Sequence, residues 1–149
     1  MREKFPELMK VAMKAGDKQR VGALRLIQAA LKDRDIEARG AGKTVSDDDI
    51  LAMLQKMVKQ RQDSIALYEQ GGRKDLADQE RAEIAVISEF LPKAMDEGEV
   101  AAAIKAAIAE TGAASPKDMG KVIGALKAKF TGRMDFGKVS PVVKAALGG

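Results

Sequence analysis

Cysteine, histidine and tryptophan are all missing from this 149-residue chain, and tyrosine occurs once. Without cysteine there are no disulfides, and the cytoplasm is the expected location. Losing cysteine and histidine together removes the best nucleophile, the commonest general base and the commonest metal ligands. An enzyme could still run on carboxylates and lysines, but the balance moves toward a binding module with no cofactor and no metal. Aromatics make up only 3%, so the core has to come from Ala, Leu, Ile, Val and Met, a mixture that favours helices over strands. No apolar run approaches the roughly 20 residues of a membrane span. The opening MREKFPELMK also lacks the uninterrupted apolar stretch of a secretory signal.

Charge, by contrast, is plentiful: 26 basic residues stand against 22 acidic ones. The surplus is uneven. From Lys117 onward, Lys117, Lys121, Lys127, Lys129, Arg133, Lys138 and Lys144 face only Asp118 and Asp135, a net +5, while the rest of the chain sums to −1. Positive charge gathered at one end is the footprint of a polyanionic partner. A merely solvated charged face is the competing account.

Helix punctuation is legible along the whole sequence. A first helix is expected from about Glu3 to Ala15, with Pro6 tolerated in its first turn and Gly16 ending it. Asp17 caps a second, reaching about Arg39 before Gly40-Ala41-Gly42. Ser46 opens a third helix, and Asp47, Asp48 and Asp49 there oppose the positive end of the helix dipole, which explains them better than a metal cluster. Gly71-Gly72 ends the third helix near Gln70. A fourth follows from about Lys74 to Phe90, and Asp96 caps a fifth that reaches about Glu110. Ser115-Pro116-Lys117-Asp118 combines a cap, a first-position proline and an acid, and should open a sixth helix to about Lys129. A seventh starts at Asp135 or Ser140 and runs to Leu147. No segment alternates as a strand does. The reading is an all-α fold, a four-helix N-terminal domain (residues 1–92) followed by a three-helix C-terminal domain (93–149).

The third and fourth helices should pair as an antiparallel hairpin about Gly71-Gly72. Their apolar stripes are Ile50, Leu54, Met57, Val58, Ile65 and Tyr68 on one side, and Leu76, Ile84, Ile87, Phe90 and Leu91 on the other. Arg61 interrupts the first stripe, and Glu80 and Glu83 lie in or beside the second. Hairpin symmetry sets Arg61 opposite Glu83, so a partly buried ion pair to Glu83 or Glu80 is expected, fixing register rather than doing chemistry.

The sixth helix carries the functional expectation. At 100° per residue, Met119, Val122, Ile123, Leu126 and Phe130 share one arc, the core face. The opposite arc holds Lys117, Gly120, Lys121, Gly124 and Ala128, with Lys127 at its edge. Each interior glycine costs roughly 1 kcal/mol relative to alanine, which asks for a reason. Close approach of a phosphate backbone flanked by lysines is one reason; close approach of another helix is the other. The loop with Gly132 and Arg133 extends the basic surface toward Lys138 and Lys144. No aromatic is expected to stack beside these cations, so backbone and shape recognition of a structured RNA fits better than base stacking.

The stretch MGKVIGALKAKFTGRMDFGKVSPVVKAAL resembles the C-terminal module of the GatB/YqeY family. KQRQDSIALYEQGGRKDLADQE, followed by EIAVISEFLP, is similar to the helical hairpin of that family. Together with the opening helices, the likeness covers essentially the whole chain. It implies a four-helix and a three-helix domain. For the B subunit of glutamine-dependent aminoacyl-tRNA amidotransferase it also implies a tail that helps hold tRNA while another domain does the chemistry. The positions matched here are Gly120, Lys121, Gly124, Lys127, Gly132, Arg133 and Lys138; with Lys117 they form the expected RNA-contact set, and none is expected to be catalytic. The expected partner is therefore tRNA, with tRNA amidotransferase or the translation machinery alongside, and no membrane. Two alternatives stand: a protein-interaction module docking an acidic partner, and an amidotransferase-associated subunit, a carbon–nitrogen ligase with glutamine as amido-N-donor. No ATP loop or ammonia-handling site supports the last.

Overall fold

In the computed structural model, which describes residues 1–148, seven α-helices and one 3-10 turn follow one another, with no strand among the described residues. They are α1 (Lys4–Lys14), α2 (Lys18–Gly40), α3 (Asp47–Gln70), α4 (Lys74–Ser88), α5 (Glu97–Thr111), the turn Pro116–Asp118, α6 (Met119–Phe130) and α7 (Phe136–Ala146). The all-helical class expected from composition is the class observed. None of these helices is long and apolar enough to cross a membrane.

The starts of α2, α3, α5 and α7 are set by side-chain caps that satisfy otherwise orphaned amides. The Asp17 carboxylate accepts from the Arg20 amide at 3.0 Å, and that of Asp96 from the Glu99 amide at 2.7 Å. At α3, the Asp49 amide donates to Ser46 Oγ at 3.1 Å while the Ser46 amide donates to Asp49 at 2.9 Å, a reciprocal capping box. The backbone hydrogen bond from Ser46 holds the Asp49 carboxyl below its ordinary range. The run of three aspartates thus sits in the first turn of α3. Among the described residues no group of His, Cys, Asp or Glu is arranged to hold a metal ion.

The chain divides into two compact units, one over Met1–Leu91 and one from Pro92 onward. In the first, Phe5 and Ala12 of α1, Leu24, Ile27 and Leu31 of α2, Ile50, Met53, Leu54 and Met57 of α3, and Ile87 of α4 make one buried cluster. Phe5 meets Phe90 edge to face, ring centroids 5.0 Å apart. The α3–α4 stripes are buried at this end of the hairpin, while Ile65, Tyr68 and Leu76 near the Gly71-Gly72 turn are only half-buried. Arg61 is where the hairpin symmetry put it. Its Nε donates to Glu83 at 2.9 Å, its Nη1 donates to the Met57 carbonyl at 3.2 Å, and Glu80 lies 3.8 Å away. All three side chains are about four-fifths buried or more. Burial first, and then the negative charge of Glu83, raise the Glu80 carboxyl above its ordinary value against the pull of Arg61.

In the second unit, Ala103, Ile104 and Ala107 of α5, Val122 and Leu126 of α6, Met134, Val139 and Val143, and Leu147 form the core. Met119, Ile123 and Phe130 pack at its edge. Gly112 ends α5 with φ +68°, a left-handed conformation that glycine takes without steric cost.

Two boundaries differ from the expectation, and a third, left open between Asp135 and Ser140, falls at Asp135. α4 stops at Ser88 rather than Phe90, because the amides of Glu89, Phe90 and Leu91 reach back only three residues, to Val86, Ile87 and Ser88. Pro92 disfavours the helical conformation at Leu91, so the chain tightens before it. Ser115 does not cap with its side chain. Instead, Asp118 accepts from the Ala114 amide at 3.0 Å, and residues 116–118 form a 3-10 turn ahead of α6. At the last helix Asp135 is the cap, its carboxylate accepting from the Gly137 amide at 3.0 Å, and Pro141 lies inside the helix. Proline there has no N–H for the Gly137 carbonyl, and one turn back the Ser140 hydroxyl adds a 2.7 Å bond to the Phe136 carbonyl.

Candidate functional site

Burying Val122 and Leu126 turns the opposite side of α6 outward. Gly120 and Gly124 are both exposed, and a Cβ added at either would meet nothing within 4 Å. Neither has a positive φ. No steric or conformational demand within the second unit therefore calls for glycine at these positions, and no helix of that unit packs closely on the pair.

The lysines around this face differ in how much of their charge is free. Lys117 is exposed on the 3-10 turn, off the helical wheel that placed it, and Lys138 is exposed in the first turn of α7. Neither they nor Lys144 take part in a salt bridge among the described residues. Lys121 is 69% exposed and reaches Asp118 only at 3.9 Å; the Ala114 amide already holds that carboxyl below its ordinary range. Lys127 lies over the Phe136 ring, 5.7 Å from its centroid. That ring, contributed by α7, stands nine residues from Lys127 in the sequence and is brought to it by the fold.

Two of the expected contact residues have other work. Gly132 is buried, with φ +86°; it makes the turn between α6 and α7 and presents no surface to a ligand. Arg133 turns back into its own unit. Its Nε donates to the Lys93 carbonyl at 3.0 Å and its Nη2 to Glu99 at 3.4 Å. Its own carbonyl accepts from the Met95 amide at 3.1 Å. Lys129 is likewise taken, with both Glu110 oxygens at 2.9 Å. The set that remains at the surface is Lys117, Gly120, Lys121, Gly124, Lys127 and Lys138.

The chain matches the family described as Yqey-like protein over residues 2–147. It belongs to that family. The Yqey-like chain is also similar, over 83 residues, to Altered inheritance of mitochondria protein 41, mitochondrial, from two yeasts. Identity is 31% with that of Lachancea thermotolerans, covering 56% of this chain and 43% of the relative. It is 30% with that of Saccharomyces cerevisiae strain YJM789, covering 56% and 44%. The Yqey-like chain thus spans less than half the length of these curated relatives.

Proposed function

We propose that this Yqey-like protein is a non-catalytic accessory module that binds tRNA through the outward face of α6, beside tRNA amidotransferase or the translation machinery. One observation carries the reading: two glycines with open space above them, on an exposed helix flanked by lysines whose charge is largely free. Such a surface lets a phosphate backbone come close while the lysines supply sequence-independent attraction. The likeness to the amidotransferase tail supports tRNA as the polyanion. In this reading the two compact units are domains that fold separately, 1–92 and 93–149, and the second is the tRNA-binding one. Its site of action is the cytoplasm; the yeast relatives carry a mitochondrial name, and localisation of the tagged protein decides between the two compartments.

The test is a titration of total tRNA at two salt concentrations. Binding at micromolar concentration or tighter, weakening steeply with salt and falling for Lys121→Glu with Lys138→Glu, is the expected result. Binding that ignores salt defeats the reading. Capture of an acidic protein that survives nuclease treatment favours the protein-docking alternative. Purified chain that amidates misacylated tRNA with glutamine and ATP would establish the ligase alternative.

A further inference from the structure

The first unit, Met1–Leu91, has 17 basic and 16 acidic residues, and this near-neutral total hides an ordered feature. Lys18, Arg25, Lys32 and Arg39 recur every seventh residue along α2, and all four are exposed. At 1.5 Å rise per residue the row is about 31 Å long, and it drifts around the helix by about 20° per heptad. Other cations on α2 have partners: Arg20 pairs with Glu89, and Arg34 with Glu37. The four in the row form no salt bridge among the described residues. Of the carboxylates that border them, Asp35 is already held by Arg2 at 2.7 Å, leaving Arg39 only a longer-range attraction to it. Asp33 lies about 90° around the helix from the middle of the row. Beside the row are Gly22, with nothing within 4 Å of an added Cβ, and Ala29, both exposed, and toward its far end the larger Ile36, also exposed.

We infer that this row is a second phosphate-backbone contact, through which the first unit binds structured RNA. The inference deepens the tRNA reading and rests on it for its ligand, but involves none of the residues of α6. A single file of cations beside small side chains matches a ribbon of phosphates. A bilayer surface would call for a continuous apolar face on the same helix, whereas the large apolar side chains exposed on α2 are Leu26 and Ile36, nearly three turns apart, and its main apolar face (Ala23, Leu24, Ile27 and Leu31) is closed into the core. Exposed aromatics are absent from α2, so the contact is sequence-independent.

The experiment titrates total tRNA against the full chain and two combined variants at several salt concentrations. One carries Lys18→Gln, Arg25→Gln, Lys32→Gln and Arg39→Gln; the other carries Lys117→Gln, Lys121→Gln and Lys138→Gln. All seven side chains are exposed, and circular dichroism checks that both variants stay folded. A variant exchanging Lys and Arg within the α2 row should bind as the parent does. Each lost phosphate contact lowers the slope of log affinity against log salt by roughly 0.7–0.9, so the α2 variant should lose about 3 in slope. An α2 variant with the parent's affinity and slope overturns the inference while leaving the α6 reading intact. Loss confined to the α2 variant upholds the row and removes the α6 face instead. A parent chain that binds no tRNA ends both. Loss of binding to phosphatidylserine vesicles with tRNA binding unchanged assigns the row to a membrane, and the inference fails.

Discussion

Replacing Gly124 by alanine should make the protein more stable and a poorer RNA binder at once. Gly124 sits in the interior of α6, exposed, without positive φ and with no atom within 4 Å of a built Cβ. The methyl group therefore meets nothing, and the whole helix-propensity difference, about 0.8–1 kcal/mol, appears as stability. Gly120 is the second residue of α6, where the backbone is less fully constrained, so Gly120→Ala should add about half as much. For a cooperative unit of this size, Gly124→Ala alone should raise the thermal midpoint by roughly 4–8 °C. Far-UV circular dichroism during heating, and urea titration at 25 °C, measure this. The same methyl pushes a phosphate backbone away from the helix without altering charge. Affinity for tRNA should drop on the order of tenfold, about 1.4 kcal/mol, at an unchanged salt slope. Destabilisation by Gly124→Ala would mean that this face is covered and would refute the open-surface argument. Stabilisation with full tRNA affinity would keep the open surface and deny that RNA lies on it.

Further outcomes follow from the ion pairs. Arg61→Met takes from Glu80 and Glu83 the cation they share in a mostly buried place and should cost about 3 kcal/mol in urea denaturation, with tRNA binding untouched; lost binding at unchanged stability would reverse that assignment. Glu80→Gln should stabilise the fold at pH 7. Its raised folded value means that the folded state takes up a proton more readily than the unfolded chain, so the parent gains stability as pH falls through that value toward the ordinary one, and the variant lacks this gain. A parent whose urea midpoint shifts identically to the variant's between pH 7 and pH 5 would contradict it. Asp118→Asn should lower stability at neutral pH, and the contribution of Asp118 in the parent should be present above the ordinary carboxylate value and fade as pH falls through its lowered folded one. Arg133→Gln should destabilise the second unit yet leave the salt slope of tRNA binding unaltered; a slope reduced by about 1 would return Arg133 to the RNA surface.

Local signals made most of the helices legible. Asp17, Ser46 and Asp96 cap where a short polar side chain precedes an apolar period, and two glycines with apolar stripes on either side locate Arg61 opposite Glu83. Misreadings arose where a residue type had two uses. Ser115-Pro116-Lys117-Asp118 has the letters of a helix start, but the acid in it bonds back to Ala114 and the turn is 3-10. At the candidate site, counting charge from Lys117 onward cut away Glu99 and Glu110, which α5 brings against Arg133 and Lys129. Counted from Pro92 there are nine basic and six acidic residues, a net +3. A window in sequence is not a window in space. The same averaging concealed the α2 row, whose charges are matched in number, though not in position, by acids elsewhere in the first unit. Gly132 had no local signal separating a buried turn from an exposed one, since both call for glycine.

The clasp formed by Arg133 determines where the polypeptide can be cut. Its guanidinium grips the Lys93 carbonyl, and its carbonyl receives the Met95 amide, so the strip just after Pro92 belongs physically to the helices that follow it. A fragment starting at Asp96, the cap of α5, would look tidy on paper yet leave the α6–α7 corner without its anchor. Severing the chain at or ahead of Pro92 keeps that anchorage.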